Sequence, residues 1–340
     1  MPVNVAVVGV TGAVGQEFLT VLAERNFPIR NIRLLASARS AGKKIAFRGE
    51  SHTVEELTRD SFRGIDIALF SAGASVSREY APVAVAAGAV VVDNSSAFRM
   101  DPTVPLVVPE VNPEKIAEHR GIIANPNCST IIMNVPVWPL HQLNRVRRIV
   151  VSTYQAVSGA GAWGLWELDE QMRAYVAGQP IVKKKFPHQI VNNLFSHNSK
   201  VADNGYNEEE NKMVNETRKI FGDPEIMITA TCVRVPVPRA HSESINLEFE
   251  KPITPAEVRK ILSQAPGVVI VDDPANNHFP MPLEASGQDN VLAGRIRQDI
   301  SRSDGRGIDM FVCGDQVRKG AATNAVQIAE RLLSNGHMRR

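Results

Sequence analysis

Val3-Asn4-Val5-Ala6-Val7-Val8-Gly9-Val10-Thr11-Gly12-Ala13-Val14-Gly15 is the stretch of sequence that decides the fold. Its first half is typical of a fully buried strand, and its glycines lead into a helical pattern that runs to about Asn26. The spacing Gly9-x-Thr11-Gly12-x-x-Gly15 is a variant of the dinucleotide fingerprint, with the middle glycine one place later than usual. Glycines at this turn let a pyrophosphate approach the start of a helix, although a turn needed only for packing is the alternative. We expect nucleotide contacts from Gly9, Thr11, Gly12, Ala13 and Val14.

The end of the second predicted strand indicates which dinucleotide is bound. Ser37-Ala38-Arg39-Ser40 stands where an acidic residue would accept hydrogen bonds from the ribose 2′-hydroxyl of NAD. The Ser37 and Ser40 hydroxyls and the Arg39 guanidinium instead offer donors and positive charge to a 2′-phosphate. The sequence therefore favours NADP over NAD as the cofactor.

Strands alternate with helices over the first part of the chain. Further strands are predicted at residues 32–37, 65–72, 89–93 and 121–124, with a helix over 77–87. This alternation predicts an α/β fold with an N-terminal Rossmann-like, doubly wound parallel sheet. Longer strand candidates at 148–157, 226–237, 244–250 and 308–313 predict a second α+β domain with a mixed sheet. We place the NADP-binding domain at 1–127, with a C-terminal helix at 321–333, within the segment 320–340, packing back on it, and a second domain at 128–319.

Composition excludes several classes of protein. The 340 residues carry a formal net charge of +2, and the basic run Lys183-Lys184-Lys185 is short, so we expect no nucleic-acid partner. The three cysteines are far apart and lack CxxC spacing, which argues against a disulfide framework and a structural zinc site. No stretch reaches the ~20 apolar residues that a membrane span needs. We expect a cytoplasmic protein without a metal.

A cysteine lies at the junction of a strand and a helix. In Asn125-Pro126-Asn127-Cys128-Ser129-Thr130, Cys128 follows the apolar strand and opens a helical run. Unpaired N–H groups and the helix dipole at that position favour the thiolate, which is the nucleophile. The alternative is that Cys128 is a small buried apolar side chain, as most free cysteines are. Pro136 and Pro139 fall within this helix, so we expect the helix to be short or kinked, or the span predicted for it to be too long.

A nucleotide domain combined with a reactive thiol suggests aldehyde dehydrogenase chemistry through a thiohemiacetal and a thioester. Such chemistry requires a base, and His241, within Arg239-Ala240-His241-Ser242-Glu243, is one candidate among eight histidines. His188, His197 and His278 remain possible from spacing alone.

Five motifs follow one another along the chain. They are the glycine turn at 9–15, Asp93-Asn94-Ser95-Ser96-Ala97-Phe98-Arg99, the Cys128 motif, Gln155-Ala156-Val157-Ser158-Gly159, and Arg234-Val235-Pro236-Val237 with His241. Together they resemble one family, the bacterial type of aspartate-β-semialdehyde dehydrogenase. The resemblance implies that Cys128 is the nucleophile, that His241 is the acid/base acting near neutral pH, and that Gln155 orients the intermediate. By the same resemblance Arg234 binds the substrate carboxylate, Glu209 receives its amino group, and Arg99 and Lys212 bind phosphate, with Asn127 beside them. Ser158, Gly159 and Gln316 are implied as cofactor contacts near the nicotinamide.

The resemblance implies a reversible reaction. In the biosynthetic direction, L-4-aspartyl phosphate is reduced to L-aspartate 4-semialdehyde through a thioester on Cys128. The product feeds the synthesis of lysine, diaminopimelate, threonine, methionine and isoleucine. The resemblance also implies that residues 128–319 are a catalytic and dimerisation domain, since the family forms homodimers through its second domain, sometimes paired as a dimer of dimers.

Alternatives remain open at this point. By pattern alone, Glu208-Glu209-Glu210 with Lys212 is an exposed helix face, and which of the three glutamates meets the substrate is uncertain. Arg99 could instead pair with Asp101 or cap a loop. The rival functions are N-acetyl-γ-glutamyl-phosphate reductase and a catalytically inactive, NADP-sensing regulatory protein, whereas glyceraldehyde-3-phosphate dehydrogenase fits poorly.

Overall fold

The computed structural model describes residues 1–336 and 338. The chain divides into two compact units, of which the first comprises Met1–Asn127 with Ala321–Arg340 and the second Cys128–Gly320. In chain order the strands are β1 (Val3–Val8), β2 (Ile29–Ala36), β3 (Lys44–Phe47), β4 (Glu50–Glu56), β5 (Ile67–Phe70), β6 (Val90–Asp93), β7 (Ile122–Ala124), β8 (Val146–Gln155), β9 (Phe195–Ser196), β10 (Met227–Arg234), β11 (His241–Phe249), β12 (Val268–Ile270), β13 (Val291–Gln298) and β14 (Gly307–Gly314). The helices are α1 (Ala13–Glu24), α2 (Ala74–Ala86), α3 (Cys128–Leu143), α4 (Ala162–Val176), α5 (Glu208–Phe221), α6 (Pro255–Leu262), α7 (Pro282–Ala285) and α8 (Thr323–Ser334).

The first unit is built on a sheet with the strand order β3-β4-β2-β1-β5-β6-β7. All pairs are parallel except β3 with β4. Side chains of β1 alternate between two cores: Val5 and Val7 pack with residues of α1 and α8, and Ala6 and Val8 pack with residues of α2. Because helices cover both faces, the prediction of a doubly wound parallel sheet is confirmed.

The hairpin of β3 and β4 is absent from the sequence-based prediction. Its strands are mostly polar, and only Phe47 and Val54 are buried, so no run of apolar residues marks it. Arg48 and Gly49 form its turn with φ values of 49° and 82°, both in the left-handed region.

The carboxyl-terminal helix α8 lies within the 320–340 segment in which the sequence predicts it. A π-helical turn at Arg318–Ala322 precedes α8, which ends at Ser334. Residues 337, 339 and 340, which belong to that segment, lie outside the described residues.

The second unit is built on a sheet with the order β12-β13-β14-β11-β8-β10-β9. The pairs β10–β8 and β12–β13 are parallel and the other pairs are antiparallel, so the predicted mixed sheet is confirmed. Helices α3, α5 and α6 pack on this sheet.

Helix α3 continues through both of its prolines, and the expectation that it is short is wrong. Each proline removes one helical hydrogen bond. Residues Ser129 to Val137 are all buried, so tertiary packing offsets that loss.

Candidate functional site

The glycine turn of the first unit brings backbone segments into close contact. Gly9 has a φ of 83°, and a Cβ there would lie 2.3 Å from the Ser71 carbonyl oxygen. A Cβ on Gly15 would lie 2.2 Å from the Gly9 carbonyl oxygen. Neither position accepts a larger residue without a shift of the backbone.

Helix α1 begins beside this turn with an open N-terminus. Gly12 is its N-cap and, among the described residues, no side chain caps it. Thr11 and Gly12 are exposed, and Ala13 and Val14 are half-buried. The first N–H groups of α1 can therefore bind an anion such as a pyrophosphate.

The end of β2 lies against the same turn. The Leu35 carbonyl accepts the N–H groups of Gly9 at 2.8 Å and Val10 at 3.2 Å. Ser37 then leads into a short 3-10 turn in which Arg39 is exposed and Ser40 is buried. Ser37 and Arg39 are thus available at this edge of the sheet, whereas the Ser40 side chain is mostly covered.

Arg99 and Asn127 lie in the first unit and are both buried. The Arg99 guanidinium donates through Nε to the Asn125 carbonyl at 2.9 Å and through Nη2 to the Asn94 carbonyl at 2.7 Å. Arg99 therefore fixes the segment that immediately precedes Cys128 in the chain.

In the second unit, neighbouring strands bring together three of the predicted side chains. Arg234, at the end of β10, pairs with Gln155, at the end of β8. His241 begins β11, and its Nδ1 accepts the Ala156 N–H at 3.0 Å. Parallel and antiparallel pairing thus places residues far apart in sequence in one row across the sheet.

Cys128 is the first residue of α3 and is partly exposed. Gly320 packs on it, since a Cβ at position 320 would lie 2.8 Å from the Cys128 Cβ. The next residue of α3, Ser129, accepts a hydrogen bond from Gln155 Nε2 at 3.0 Å. The Cys128 thiolate interacts favourably with the Arg234 guanidinium.

His241 is fully buried, and burial lowers its pKa to about 3, with the nearby Arg234 charge acting in the same direction. This differs from the expectation that the ring titrates near neutral pH. Because Nδ1 accepts a backbone N–H, we assign the proton of the neutral ring to Nε2. Among the described residues, Nε2 has no hydrogen-bond partner. It lies beside Gly159, where a Cβ would be 3.3 Å from it.

The Arg234 guanidinium is held through its two Nη nitrogens and not through Nε, within the described part of the chain. Nη1 donates to the Ala156 carbonyl at 2.6 Å, and Nη2 contacts Nε2 of His197 at 2.8 Å. The buried Nε has no hydrogen-bond partner in the part of the chain that the structure describes. Burial lowers the pKa of this guanidinium, so a bound anion would be strongly favoured.

The three glutamates at the start of α5 have different surroundings. Glu208 is exposed, and Glu210 accepts the N–H groups of Asn207 at 2.8 Å and Cys232 at 3.0 Å. Only Glu209 reaches the row of site residues, where Gln155 Nε2 contacts its Oε1 at 3.3 Å. Lys212 Nζ lies 3.2 Å from Glu209 Oε2.

Ser158 and Gln316 contact each other near His241. Gln316 Nε2 donates to Ser158 Oγ, and its Oε1 accepts the Ala240 N–H at 2.9 Å. Ala240 has a φ of 68°, which is unusual for a residue with a Cβ and fixes the direction in which His241 leaves the loop.

The remaining histidine candidates fall into two groups. His188 is exposed against Phe195, and His278 pairs with Glu284 in an exposed loop, so neither joins the row. His197 does join it through Arg234. Sequence reasoning left His197 among the possible bases and did not single out Gly320 or Ala240, because only folding shows the neighbours of these three residues.

Within residues 1–336 and 338, no group of His, Cys, Asp and Glu side chains could hold a metal ion. No helix of that same part of the chain is long and apolar enough to span a membrane.

Two family models match the chain. Residues 4–119 match the semialdehyde dehydrogenase NAD binding domain, and residues 137–319 match the semialdehyde dehydrogenase dimerisation domain. The aspartate-semialdehyde dehydrogenase of Synechocystis is 55% identical over 98% of both chains, and that of Aquifex aeolicus is 54% identical over 99% of both. The chain belongs to the aspartate-semialdehyde dehydrogenase family.

Solved structures agree with this family assignment. Aspartate semialdehyde dehydrogenase II of Vibrio cholerae, complexed with ASA, has a TM-score of 0.96 at 48% identity, covering 98% of this chain and 99% of that one. The Candida albicans enzyme with NADP has a TM-score of 0.78 at 26% identity, covering 99% of both chains. This aspartate-semialdehyde dehydrogenase family member is thus an oxidoreductase of amino-acid biosynthesis with an NAD(P)-binding domain.

Proposed function

We propose that the enzyme reduces L-4-aspartyl phosphate to L-aspartate 4-semialdehyde with release of phosphate, reversibly, with NADP as its cofactor. The observation that carries this proposal is the row of Arg234, Gln155 and His241 in the same unit as a partly exposed cysteine at a helix start. The product is a precursor for lysine, diaminopimelate, threonine, methionine and isoleucine.

Cys128 is proposed as the nucleophile. Its thiolate attacks the acyl carbon, the bond to the phosphate oxygen breaks, and a thioester forms on Sγ. Its place at the first turn of α3 and its favourable interaction with Arg234 both support a negative charge on sulfur. We assign the leaving phosphate to Arg99, Asn127 and Lys212.

NADPH, when bound, supplies the hydride that reduces the thioester carbonyl. The resulting oxyanion collapses to the aldehyde and returns the electron pair to Cys128 Sγ. The cycle begins and ends with a thiolate, so it needs no net proton from the enzyme. His241 can therefore act as a neutral Nε2–H donor to the oxyanion, which agrees with its low pKa of about 3.

Substrate recognition is assigned to two charged groups. Arg234 would bind the α-carboxylate through Nε and an Nη nitrogen, because its buried Nε–H lacks a partner among the described residues. Glu209 would receive the amino group, and Gln155, which contacts Glu209, would orient the carbonyl.

The cofactor preference rests on the end of β2. Ser37 and Arg39 lie there in place of an acidic residue, and they would bind the 2′-phosphate of NADP. Ser40 follows them, and its side chain is mostly buried. Gly9, Thr11, Gly12, Ala13 and Val14 would bind the pyrophosphate at the start of α1, and Ser158, Gly159 and Gln316 would line the nicotinamide site.

We also propose a homodimer formed through the second unit. The helices α3, α5 and α6 pack on its sheet, and Tyr154 and Met227 on strands β8 and β10 remain exposed. Phe311 lies beside Tyr154, with their ring centroids 6.2 Å apart. A partly apolar sheet face of this kind suits a second copy of the same face. Pairing of two dimers is a further possibility that sedimentation would test. None of the three cysteines, all of which lie in the described residues, is in a disulfide, which favours a cytoplasmic enzyme.

The deciding experiment follows NADPH formation by the purified enzyme from L-aspartate 4-semialdehyde and phosphate. Parallel samples omit phosphate, replace NADP with NAD, or replace the substrate with N-acetyl-L-glutamate 5-semialdehyde. Phosphate-dependent NADPH formation from the free-amine substrate supports the proposal. Turnover of the acetylated substrate alone would indicate the reductase of N-acetyl-γ-glutamyl phosphate, and NADP binding without turnover would indicate a sensor.

A further inference from the structure

His197 contacts the guanidinium that we assign to the substrate carboxylate. Its Nε2 lies 2.8 Å from Arg234 Nη2. Strand β9 just before it pairs with the end of β10, with Phe195 opposite Arg234, and the His197 N–H donates to the Cys232 carbonyl at 2.8 Å. The backbone of His197 is therefore fixed to the strand that carries Arg234.

The hydrogen bonds of His197 determine where its proton lies. A guanidinium only donates, so Nε2 must present its lone pair to Arg234. The proton of the neutral ring is then on Nδ1. This N–H donates to Ser199 Oγ at 3.1 Å, in preference to Nδ1 accepting the Ser199 N–H at 3.3 Å, because Arg234 has no lone pair to offer Nε2. Burial lowers the pKa of His197 to about 4, so the ring is neutral at pH 7.

Ser199 extends this contact to helix α5. Its Oγ accepts the Glu209 N–H at 3.2 Å and donates to Asn207 Oδ1 at 3.3 Å. Asn207 is the N-cap of α5, the helix that carries Glu209 and Lys212. A continuous series of hydrogen bonds thus joins Arg234 to the start of the helix that bears Glu209.

We propose that His197 is a positioning residue that holds the Arg234 guanidinium in the orientation needed to bind the α-carboxylate of the substrate. It fixes Nη2 while the Ala156 carbonyl fixes Nη1, so the planar guanidinium is held with its Nε–H unpaired among the described residues and able to donate to a ligand. Through Ser199, it also sets the spacing between the groups that bind the carboxylate and the amine. This inference rests on the proposed role of Arg234.

The surroundings of His197 explain why a neutral acceptor is required there. Arg234 from β10 and Lys212 from α5 oppose a positive charge on the ring, as does His241 when charged, whereas Glu209 from α5 favours one. An imidazolium would turn an N–H toward a guanidinium that can only donate. A glutamine, which offers both an amide oxygen and an N–H, could replace the two hydrogen bonds.

The test compares two aldehydes with the phosphate concentration held constant. L-Aspartate 4-semialdehyde carries the α-carboxylate, and 3-aminopropanal is the same molecule without it. His197→Ala is expected to raise KM for L-aspartate 4-semialdehyde by ~10- to 100-fold and to change kcat by less than about threefold. The kcat/KM for 3-aminopropanal is expected to stay within about threefold of that of the unmodified enzyme. His197→Gln is expected to have a KM for L-aspartate 4-semialdehyde within about threefold of that of the unmodified enzyme.

A loss of kcat without a change in KM, or an equal loss with both aldehydes, would overturn the proposal. His188→Ala serves as the matched control, since His188 is exposed nearby and packs against Phe195. If His197→Ala does not fold, His197→Gln is compared with His197→Leu, which has similar size but no acceptor. Equal KM values for those two variants would also overturn it. Inactivity of the unmodified enzyme would contradict the proposed function itself and would be seen before any variant is made.

Discussion

Ala156 donates its N–H to Nδ1 of His241 at 3.0 Å, and this hydrogen bond leaves the proton of the neutral imidazole on Nε2. The ring is fully buried with a pKa of about 3, so it remains neutral at the pH at which the enzyme works. His241 is therefore better suited to donate a hydrogen bond to an oxyanion than to remove a proton from a thiol.

Replacement of His241 distinguishes a donor from a base. His241→Gln places an amide N–H near the position of Nε2 and cannot act as a base. We expect His241→Ala to lower kcat by ~10²- to 10³-fold and His241→Gln to retain at least about tenfold more activity than His241→Ala. Steady-state kinetics measure both, and equal activities of the two variants would favour the acid/base role.

Cys128→Ala is expected to abolish turnover, because no other group in the site can form the thioester. Cys128→Ser is expected to leave at most a trace of activity, since a hydroxyl is far less ionised than a thiol. Both variants should bind NADP as the unmodified enzyme does, which fluorescence titration measures. Substantial turnover by Cys128→Ala would disprove the assignment of the nucleophile.

The adjacent residues Glu209 and Glu210 form a matched pair with different expected effects. Glu209→Gln should lower kcat/KM for L-aspartate 4-semialdehyde by ~10²-fold, because the charge proposed for the amine is lost. Glu210→Gln should instead cost about 1–2 kcal/mol of stability, because Glu210 accepts the Asn207 and Cys232 N–H groups. Steady-state kinetics and urea unfolding are measured on both variants. A loss of kcat/KM in Glu210→Gln together with a loss of stability in Glu209→Gln would contradict the assignment of Glu209 to the amine.

Gly320→Ala is expected to displace Cys128 or the turn that packs on it, since the new Cβ would lie 2.8 Å from the Cys128 Cβ. We expect kcat to fall by at least about tenfold, with a changed rate of alkylation of the Cys128 thiol. Both rates can be compared with those of the unmodified enzyme. Unchanged values would show that the backbone of the π-helical turn accommodates a methyl group.

Stability should depend on pH through the buried histidines. The pKa values of His197 and His241, about 4 and about 3, lie below those of an unfolded chain, so only the unfolded chain binds protons as the pH falls below 6.5. Each histidine therefore contributes stability above pH 6.5 that is progressively lost below it, by about 1–2 kcal/mol at pH 5. Urea unfolding at pH 7.5 and pH 5 measures this loss, which His197→Gln should reduce.

Glu243 changes the pH dependence of stability in the direction opposite to the histidines. It therefore has to be replaced before the histidine effect is measured. It is fully buried without a hydrogen-bond partner among the described residues, and burial raises its pKa well above 4.5. The folded chain thus keeps a proton that the unfolded chain loses, so its contribution to stability falls as the pH rises above 4.5. The histidine measurement is made in a Glu243→Gln background. That background should itself be more stable than the unmodified enzyme at pH 8, and a loss of stability there would show that Glu243 is ionised.

The sequence by itself determined the doubly wound fold of the first unit and indicated Cys128 as a reactive thiol at the start of a helix. Both signals are local: a buried strand followed by a glycine turn, and a cysteine at a helix start, depend on neighbours within a few residues. The polar hairpin of β3 and β4 and the full length of α3 were not predicted, because their stability comes from turn geometry and burial rather than from local pattern.

The resemblance implied His241 and Glu209, but the residue pattern left the choice open, and the tertiary structure shows these two side chains in the same row. Strand pairing brings Arg234 beside Gln155, and a single backbone hydrogen bond brings His241 beside both. The positioning role proposed for His197 and the contact of Gly320 with Cys128 depend on residues distant in the chain. Spacing in the sequence offered His197 only as a possible base and did not indicate Gly320. Spacing did not indicate the protonation states either, since burial lowers the pKa of two histidines and raises that of Glu243, and burial exists only in the folded chain.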